Sequence, residues 1–494
     1  MKPFLLGVFT LSLLFTSTLS AQATFFEEAL RYSFVSPQGT ARFAGTGGSL
    51  TPLGVDYTTL HTNPAGLGWN RSSSVQVSPG FTYGSLESTF QGNDVTPFSE
   101  ADVTLMLPSV GLIIANQTRS VNVSTFNVSL GLTRLANYNQ TIRYDGRSEG
   151  SIAQAILEDE LDGVDDPFRS NLALQIPGFF QEDSIGLFTD FERPESAGGQ
   201  IRRNGSSTRS GSMHEFAIGF SGNYREKLLF GLSLGIPFFS YDEDRVYDEI
   251  DDRDEIIFFD DAGFNETYRY SGTGTNLKLG IIYRPTSGTR VSAAIHTPTL
   301  WSINEEYFST LEYNFTDEGM AQGGTALSPR LVGVRNLRTP WRFLLGGGYV
   351  INQKGFISVD FDYTDYTSNN FSTEDFTLQD EVANEQVDLF LSSSIGIRVG
   401  GEYNLDPIQL RAGVGYRQVP FADFAEVEDE AILTYSAGAG YNFGRVHVDL
   451  AAQYEGYQTF FSPYNTFAIQ DQRVTTDRNR VSLILTVGYR GFNF

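Results

Sequence analysis

Alternation of apolar and polar residues at a period of two, sustained for about 10 to 16 residues at a time, constrains this chain more than any other feature. Ile357, Val359, Phe361 and Tyr363 alternate with Ser358, Asp360, Asp362 and Thr364. Ile408, Leu410, Ala412, Val414 and Tyr416 alternate with Gln409, Arg411, Gly413, Gly415 and Arg417. Val446, Val448, Leu450, Ala452 and Tyr454 do the same against His447, Asp449, Ala451, Gln453 and Glu455. Successive side chains of a strand point to opposite faces, so each stretch reads as a strand with one apolar and one polar face. Soluble sheets alternate too, but their strands usually run about five or six residues. Here the strands are longer, and their second face carries Arg, Asp, Glu and Gly. That combination belongs to a barrel whose outside meets lipid and whose inside is polar.

The N-terminus is consistent with export to such a place. Lys2 precedes an apolar run from Phe4 to Leu19, followed by the small residues Ala21 and Ala23. Charged, then apolar, then small is the pattern of a signal peptide, expected over residues 1–23. After it no run of about 18 apolar residues occurs, so any membrane crossing must use strands closed into a barrel. The 50 glycines and 14% aromatic residues suit a curved sheet girdled by rings at the membrane interfaces, and the absence of cysteine excludes a disulfide framework or a thiolate site. A net charge of −25 disfavours nucleic acid as a partner. Eleven of the acids fall in residues 241–261, which reads as a solvated loop.

Connection lengths supply a second test. Short turns are expected near 115–121, 223–227, 284–290, 351–355, 403–407 and 442–445. Long connections are expected near 85–102, 144–212, 242–265, 304–338, 368–385, 418–430 and 458–478. Short and long alternate strictly, as periplasmic turns and external loops do in an outer-membrane barrel. The expected fold is therefore all-β, a transmembrane antiparallel barrel of about fourteen strands over residues 72–494, in the outer membrane of a Gram-negative bacterium. Parity slips near Pro108 and near Gly491 predict bulges at both places. The final strand ends Phe492-Asn493-Phe494, an aromatic ending that resembles the terminal signal of assembled outer-membrane barrels.

Residues 24–71 do not alternate. A short helix is expected from Phe25 to Val35, and the segment can fill the lumen as a hatch or hang as a periplasmic tail. Gly39-Thr40-Ala41-Arg42, Gly45, Gly47-Gly48, Asp56 and the cluster Asn63, Pro64, Ala65 and Gly66 resemble the hatch of the FadL family of hydrophobic-compound transporters. Pro340-Trp341-Arg342-Phe343 and Leu410-Arg411-Ala412-Gly413 resemble its late strands. The resemblance implies a fourteen-stranded barrel with a luminal plug and passive uptake of hydrophobic small molecules, most of all long-chain fatty acids. It also implies a lateral gate at a kink of the third strand, which would place the gate near Gly131. A monomer surrounded by outer-membrane lipid and lipopolysaccharide is the expected state. The alternative is a barrel of the same type acting as a non-transporting scaffold or secretion-system partner.

Arg342, Arg398 and Arg411 are candidate anchors for a substrate carboxylate, because guanidinium grips it in a bidentate fashion. The competing reading pairs them with Asp360, Asp362 and Asp449 as internal braces. No nucleophile motif accompanies His447 and Asp449, so no catalysis is expected. Four histidines offer no metal site, and no cofactor is expected. Residues 150–162 read as a short amphipathic helix in the longest external loop.

Overall fold

Inverted polarity organises the molecule: on the strand Gly355–Asp365 the apolar Ile357, Val359 and Tyr363 are exposed while Ser358, Asp360, Asp362 and Thr364 are buried. The computed structural model describes residues 25–182, 186–352, 354–373, 377–422, 431–464 and 473–492. The expected signal peptide and most of the terminal aromatic triplet lie outside the described residues.

Fourteen antiparallel staves close into a barrel. They are β1 (Ser73–Phe90), β2 (Phe98–Gln117), β3 (Val123–Asn137, extended by Gln140–Ser148), β4 (Ile201–Tyr224), β5 (Leu228–Ile250) and β6 (Phe259–Tyr283). Next come β7 (Thr289–His296 and Leu300–Asp317), β8 (Met320–Leu327, Leu331–Arg338 and Arg342–Val350), β9 (Gly355–Asp365) and β10 (Ser393–Leu405). The wall ends with β11 (Ile408–Arg417), β12 (Ile432–Phe443), β13 (Val446–Phe461) and β14 (Val474–Phe492). Closure is made by β1 on β14, with Phe81 opposite Leu483 and Val77 opposite Val487. Register shifts fall where parity slipped, between Ser78 and Gly80 opposite the Pro108 region and at Gly491, whose φ is +92°.

Outward side chains such as Phe230, Leu232, Leu234, Leu279, Ile281, Phe343 and Leu345 form the apolar belt. Each would cost about 25 cal/mol per Å² of apolar surface left in water, and lipid removes that cost. On β7 the belt stops at Leu300; Ser302, Asn304 and Glu306 continue the same face as polar residues.

Several connections expected as loops are strands that rise above the belt. β5 and β6 stay paired up to Ile250–Asp261, and β7 and β8 up to Asp317–Met320. The acidic run 241–261 is thus mostly a strand, not a solvated loop. Its alternate members Glu243, Tyr247 and Glu249 turn inward and are buried. Above the belt these strands enclose a core of Leu86, Phe90, Ile156, Phe179, Phe259 and Tyr313, packed on the helix Ile152–Leu161.

Candidate functional site

The N-terminal segment lies inside the barrel, and each of its singled-out residues has a local structural task. Thr40 caps the helix Ala41–Gly45, accepting from Phe43 N, and its hydroxyl donates to Asp56 at 2.6 Å. Asp56 caps the turn Tyr57–His61 by accepting from Thr58 N. Asn63 caps the turn Pro64–Trp69, and its amide donates to the carbonyls of Thr51 and Ile281. Pro64 stands at the first helical position, where its missing N–H costs nothing. Gly66 packs directly on Gly54, so a Cβ there would meet the Gly54 Cα at 2.6 Å. The Asn63–Gly66 cluster builds the hatch.

Glycines in the wall make room for the hatch. A Cβ on Gly231 would stand 2.4 Å from Ala65 N, one on Gly413 2.4 Å from Gly47 N, and one on Gly400 2.1 Å from Thr46 O. Gly111 and Gly131 both abut the Tyr57 ring. The Tyr57 hydroxyl meets His61 Nε2 at 3.1 Å, and His61 Nδ1 meets Glu215 at 2.7 Å. Glu215 also accepts from Lys278 at 2.7 Å and from Asn276 at 3.0 Å. The hatch is therefore keyed into the wall by backbone contact and pinned on this side by the buried carboxylate of Glu215.

The three arginines expected to face the lumen all do so, each against a carboxylate. Arg342 and Arg398 share Asp362, at 3.3 and 2.8 Å. Arg411 bridges Glu402 at 2.7 Å and Asp449 at 2.6 Å, and Glu402 is held from the other side by Arg42 at 2.9 Å. Arg42 of the Gly39–Arg42 motif and Glu402, which the sequence did not single out, thus join hatch to wall.

Gly131 is not where the wall opens. It is paired with Gly111 on one side and Ala217 on the other, and the Tyr57 ring backs it. The break comes four residues on. The β2–β3 ladder ends at Ser109–Thr133, and β3 bulges at Leu135 between its pairings of Arg134 and Ala136 with β4. Beyond that point Phe98–Met106 of β2 pair with β1 alone, and Gln140–Ser148 pair with β4 until, further out, Asn93 and Arg147 exchange backbone hydrogen bonds at 2.7 Å and Thr96 N donates to Asp145 O at 3.1 Å. Between these two points side chains span the gap: Asn139 Nδ2 donates to Thr104 Oγ1 at 3.1 Å, Ser88 Oγ donates to Arg143 O, and Arg143 lies 3.3 Å from Glu100. Leu105, paired with Phe81 of β1 but without a neighbouring strand on the gap side, is 83% exposed. No glycine or proline marks the bulge. From within, the hatch replaces β2 as a partner: Ser36 N donates to Leu135 O at 3.2 Å and Gln38 N to Arg134 O at 3.0 Å.

Against this bulge lies a cavity of about 420 Å³. Leu30 and Phe34 close it towards the outside, Phe43 and Gly47–Gly48 towards the periplasm, and residues 135–138 on the gap side. Arg398 lines it, whereas Arg342 and Arg411 do not. Its roof is the helix Phe25–Ser33, docked on the external helix Thr377–Phe390 through Phe25 N to Gln386 and a stack of Phe26 on Phe390. Beneath that helix, above the lipid belt, Glu305 is pushed up to about 8 by burial and by the charge of Glu28, with Arg335 opposing. A partly apolar chamber with a wall opening can hold a hydrophobic molecule and pass it sideways.

No family model matches the chain, and no curated protein matches it in sequence. Among solved structures it is similar to a Pseudomonas aeruginosa FadL homologue, at 12% identity over 92% of this chain and 99% of that one, with a TM-score of 0.54. It is also similar to the P. putida toluene transporter TodX, at 13% identity over 93% and 100% of the two chains, with a TM-score of 0.53. Closed wall, luminal hatch and outward apolar belt together give this outer-membrane chain the fold of FadL homologues and of TodX.

Proposed function

We propose that this protein is a passive channel for hydrophobic compounds, with long-chain fatty acids as cargo, working as a monomer in the outer membrane. The observation that carries the reading is the juxtaposition of cavity and gap. The periplasmic half of the lumen is filled by keyed-in hatch, while the chamber abuts the bulge at Leu135. Cargo arriving from outside enters a chamber lined by both apolar and polar side chains and leaves through the gap into the lipid leaflet without crossing bulk water. Similarity in fold to a toluene transporter is in keeping with hydrophobic cargo. The experiment is to span the gap with cysteines at Thr104 and Asn139, joined by a short bis-methanethiosulfonate in this cysteine-free chain. Uptake of a labelled fatty acid into cells lacking other such channels should fall at least tenfold and return on reduction. Uptake that ignores the staple would overturn the lateral route.

A scaffold reading is favoured by one feature. Above a polar band at Asn336 and Arg338, β8 again presents Val332 and Val334 outwards, 73% and 54% exposed, beyond the reach of lipid. Stoichiometric co-purification with a surface protein that Val332→Asp abolishes would support it.

A further inference from the structure

Resting on the channel reading above, we infer that the chamber also holds a subsite for a doubly anionic head, and that the ligand it takes is an amphiphile ending in a phosphate monoester. The subsite is the cluster of Arg134 on β3 with Arg478 and Arg480 on β14. Arg478 and Arg480 stand two apart on one strand, so both turn to the same face, and both line the cavity. Their strand sits next to β1, where Leu86 pairs with Arg478 and Gly84 with Arg480, and Gly84 pairs in turn with Asp102 of β2. The cluster therefore lies just inside the wall opening. Arg478 reaches the opening itself, donating to Asn139 O at 3.4 Å.

What holds these guanidiniums is almost wholly neutral. Arg478 donates to the Tyr457 hydroxyl at 2.8 Å and to Asn139 O. Arg134, 5% exposed, donates to Ala136 O at 3.2 Å and to Asn137 Oδ1 at 2.8 Å. Only Arg480 has a carboxylate, Glu455 at 3.8 Å. Among the described residues no other carboxylate lies within ion-pair distance of the three, although Arg134 and Arg480 are near enough to repel. Neutral acceptors orient a guanidinium without neutralising it. Three positive charges face one carboxylate within ion-pair distance, with Asp102 acting on Arg480 from farther off, and so keep an excess of positive charge on a chain with 59 acids and 34 bases. A buried charge without a counter-charge is costly, and acids were abundant to supply one. Elsewhere in the wall Arg411 is compensated by two carboxylates and Arg203 by Glu249, whereas Arg417, which lines the same chamber, is also held by neutral acceptors, Val35 O at 3.3 Å and the Tyr366 hydroxyl at 2.9 Å. The arrangement matches a phosphate, which carries close to two charges and accepts from several guanidiniums at once.

The test uses the full chain in a non-ionic detergent, titrated calorimetrically with dodecyl phosphate, dodecanoate, dodecanol and inorganic phosphate. Dodecyl phosphate should bind at least tenfold more tightly than dodecanoate, and dodecanol more weakly than either. Arg478→Gln and Arg480→Gln should each weaken dodecyl phosphate at least tenfold while leaving dodecanol unchanged, which also shows that the variants are folded. Equal affinity for the three amphiphiles would overturn the head-group subsite and leave the channel reading standing. Failure of all three to bind would sink both. Inorganic phosphate binding as tightly as dodecyl phosphate would overturn the amphiphile.

Discussion

Glu28 of the N-terminal helix and Glu305 of β7 lie against the same guanidinium, that of Arg335, at 3.5 and 3.3 Å. Two buried carboxylates on one arginine cannot both be fully compensated when ionised, and burial with the neighbouring charge lifts Glu305 to about 8. A carboxyl raised in the folded state favours the docked helix while it is protonated. That contribution is complete below the ordinary value near 4.5 and is lost as pH rises through about 8. The helix Phe25–Ser33, which roofs the chamber, should loosen across that range. A nitroxide on a cysteine at Glu27 should give a broad spectrum at pH 5 that sharpens by pH 8.5. Glu305→Gln should keep it broad throughout. A parent spectrum independent of pH would defeat the idea.

Wall glycines facing the hatch should be intolerant of any side chain, whereas those facing open space should not. Gly231→Val or Gly413→Val drives a side chain into hatch backbone, where nothing can swing away. Overpacking of this kind costs about 1–3 kcal/mol or more, and unseating the hatch is the available relief. Both variants should raise single-channel conductance in planar bilayers and sensitise cells to large antibiotics. Gly347→Val has nothing within 4 Å of the new Cβ and should behave as the parent does. Conductance unchanged in Gly231→Val would mean the hatch is not keyed as described.

Glu249 illustrates why the acidic run was misread as a loop. It is fully buried, accepts from Ser151 Oγ, Ile152 N at 3.0 Å and Tyr247 Oη, and faces Arg203 at 3.4 Å. It thus anchors the start of the helix Ile152–Leu161 as well as neutralising a buried arginine. Glu249→Gln strands the Arg203 charge, a loss on the order of 3–5 kcal/mol. External protease should cut residues 150–200 in the variant at concentrations that spare the parent, with the membrane-embedded barrel left whole.

Sidedness was legible from residues alone because Ile357, Val359 and Tyr363 contrast with Asp360 and Asp362 at every step, and lipid demands that contrast. In 241–261 both faces are polar, so parity carried no signal; only the inward set Glu243, Arg245, Tyr247 and Glu249, salted with arginine and tyrosine, marks it in hindsight. The hatch was legible as a segment without alternation, but its seats were not. That Tyr57 fills the space at Gly131 is a contact across 74 positions of chain, and nothing local to either residue announces it. The bulge at Leu135 was hidden for a related reason, since what meets it is the distant hatch backbone at Ser36 and Gln38, and it carries no glycine or proline of its own.

Arg411 is the residue whose loss should separate the bracing role from a cargo role. Its guanidinium is buried and holds Glu402 and Asp449, while Arg42 keeps a second grip on Glu402. Arg411→Met leaves Asp449 without a cation, save for a histidine contact at 4.0 Å. Removing one partner of a buried pair costs about 3–5 kcal/mol, and the retained Arg42 keeps this case near the lower end. The heat needed to convert the compact barrel to its slow-migrating unfolded form should fall measurably. Arg411→Met with Asp449→Asn should recover most of the loss, because the orphaned charge leaves with its partner. Fatty-acid affinity should be the same in parent and double variant. A double variant that regains stability yet loses binding would assign Arg411 to the cargo after all.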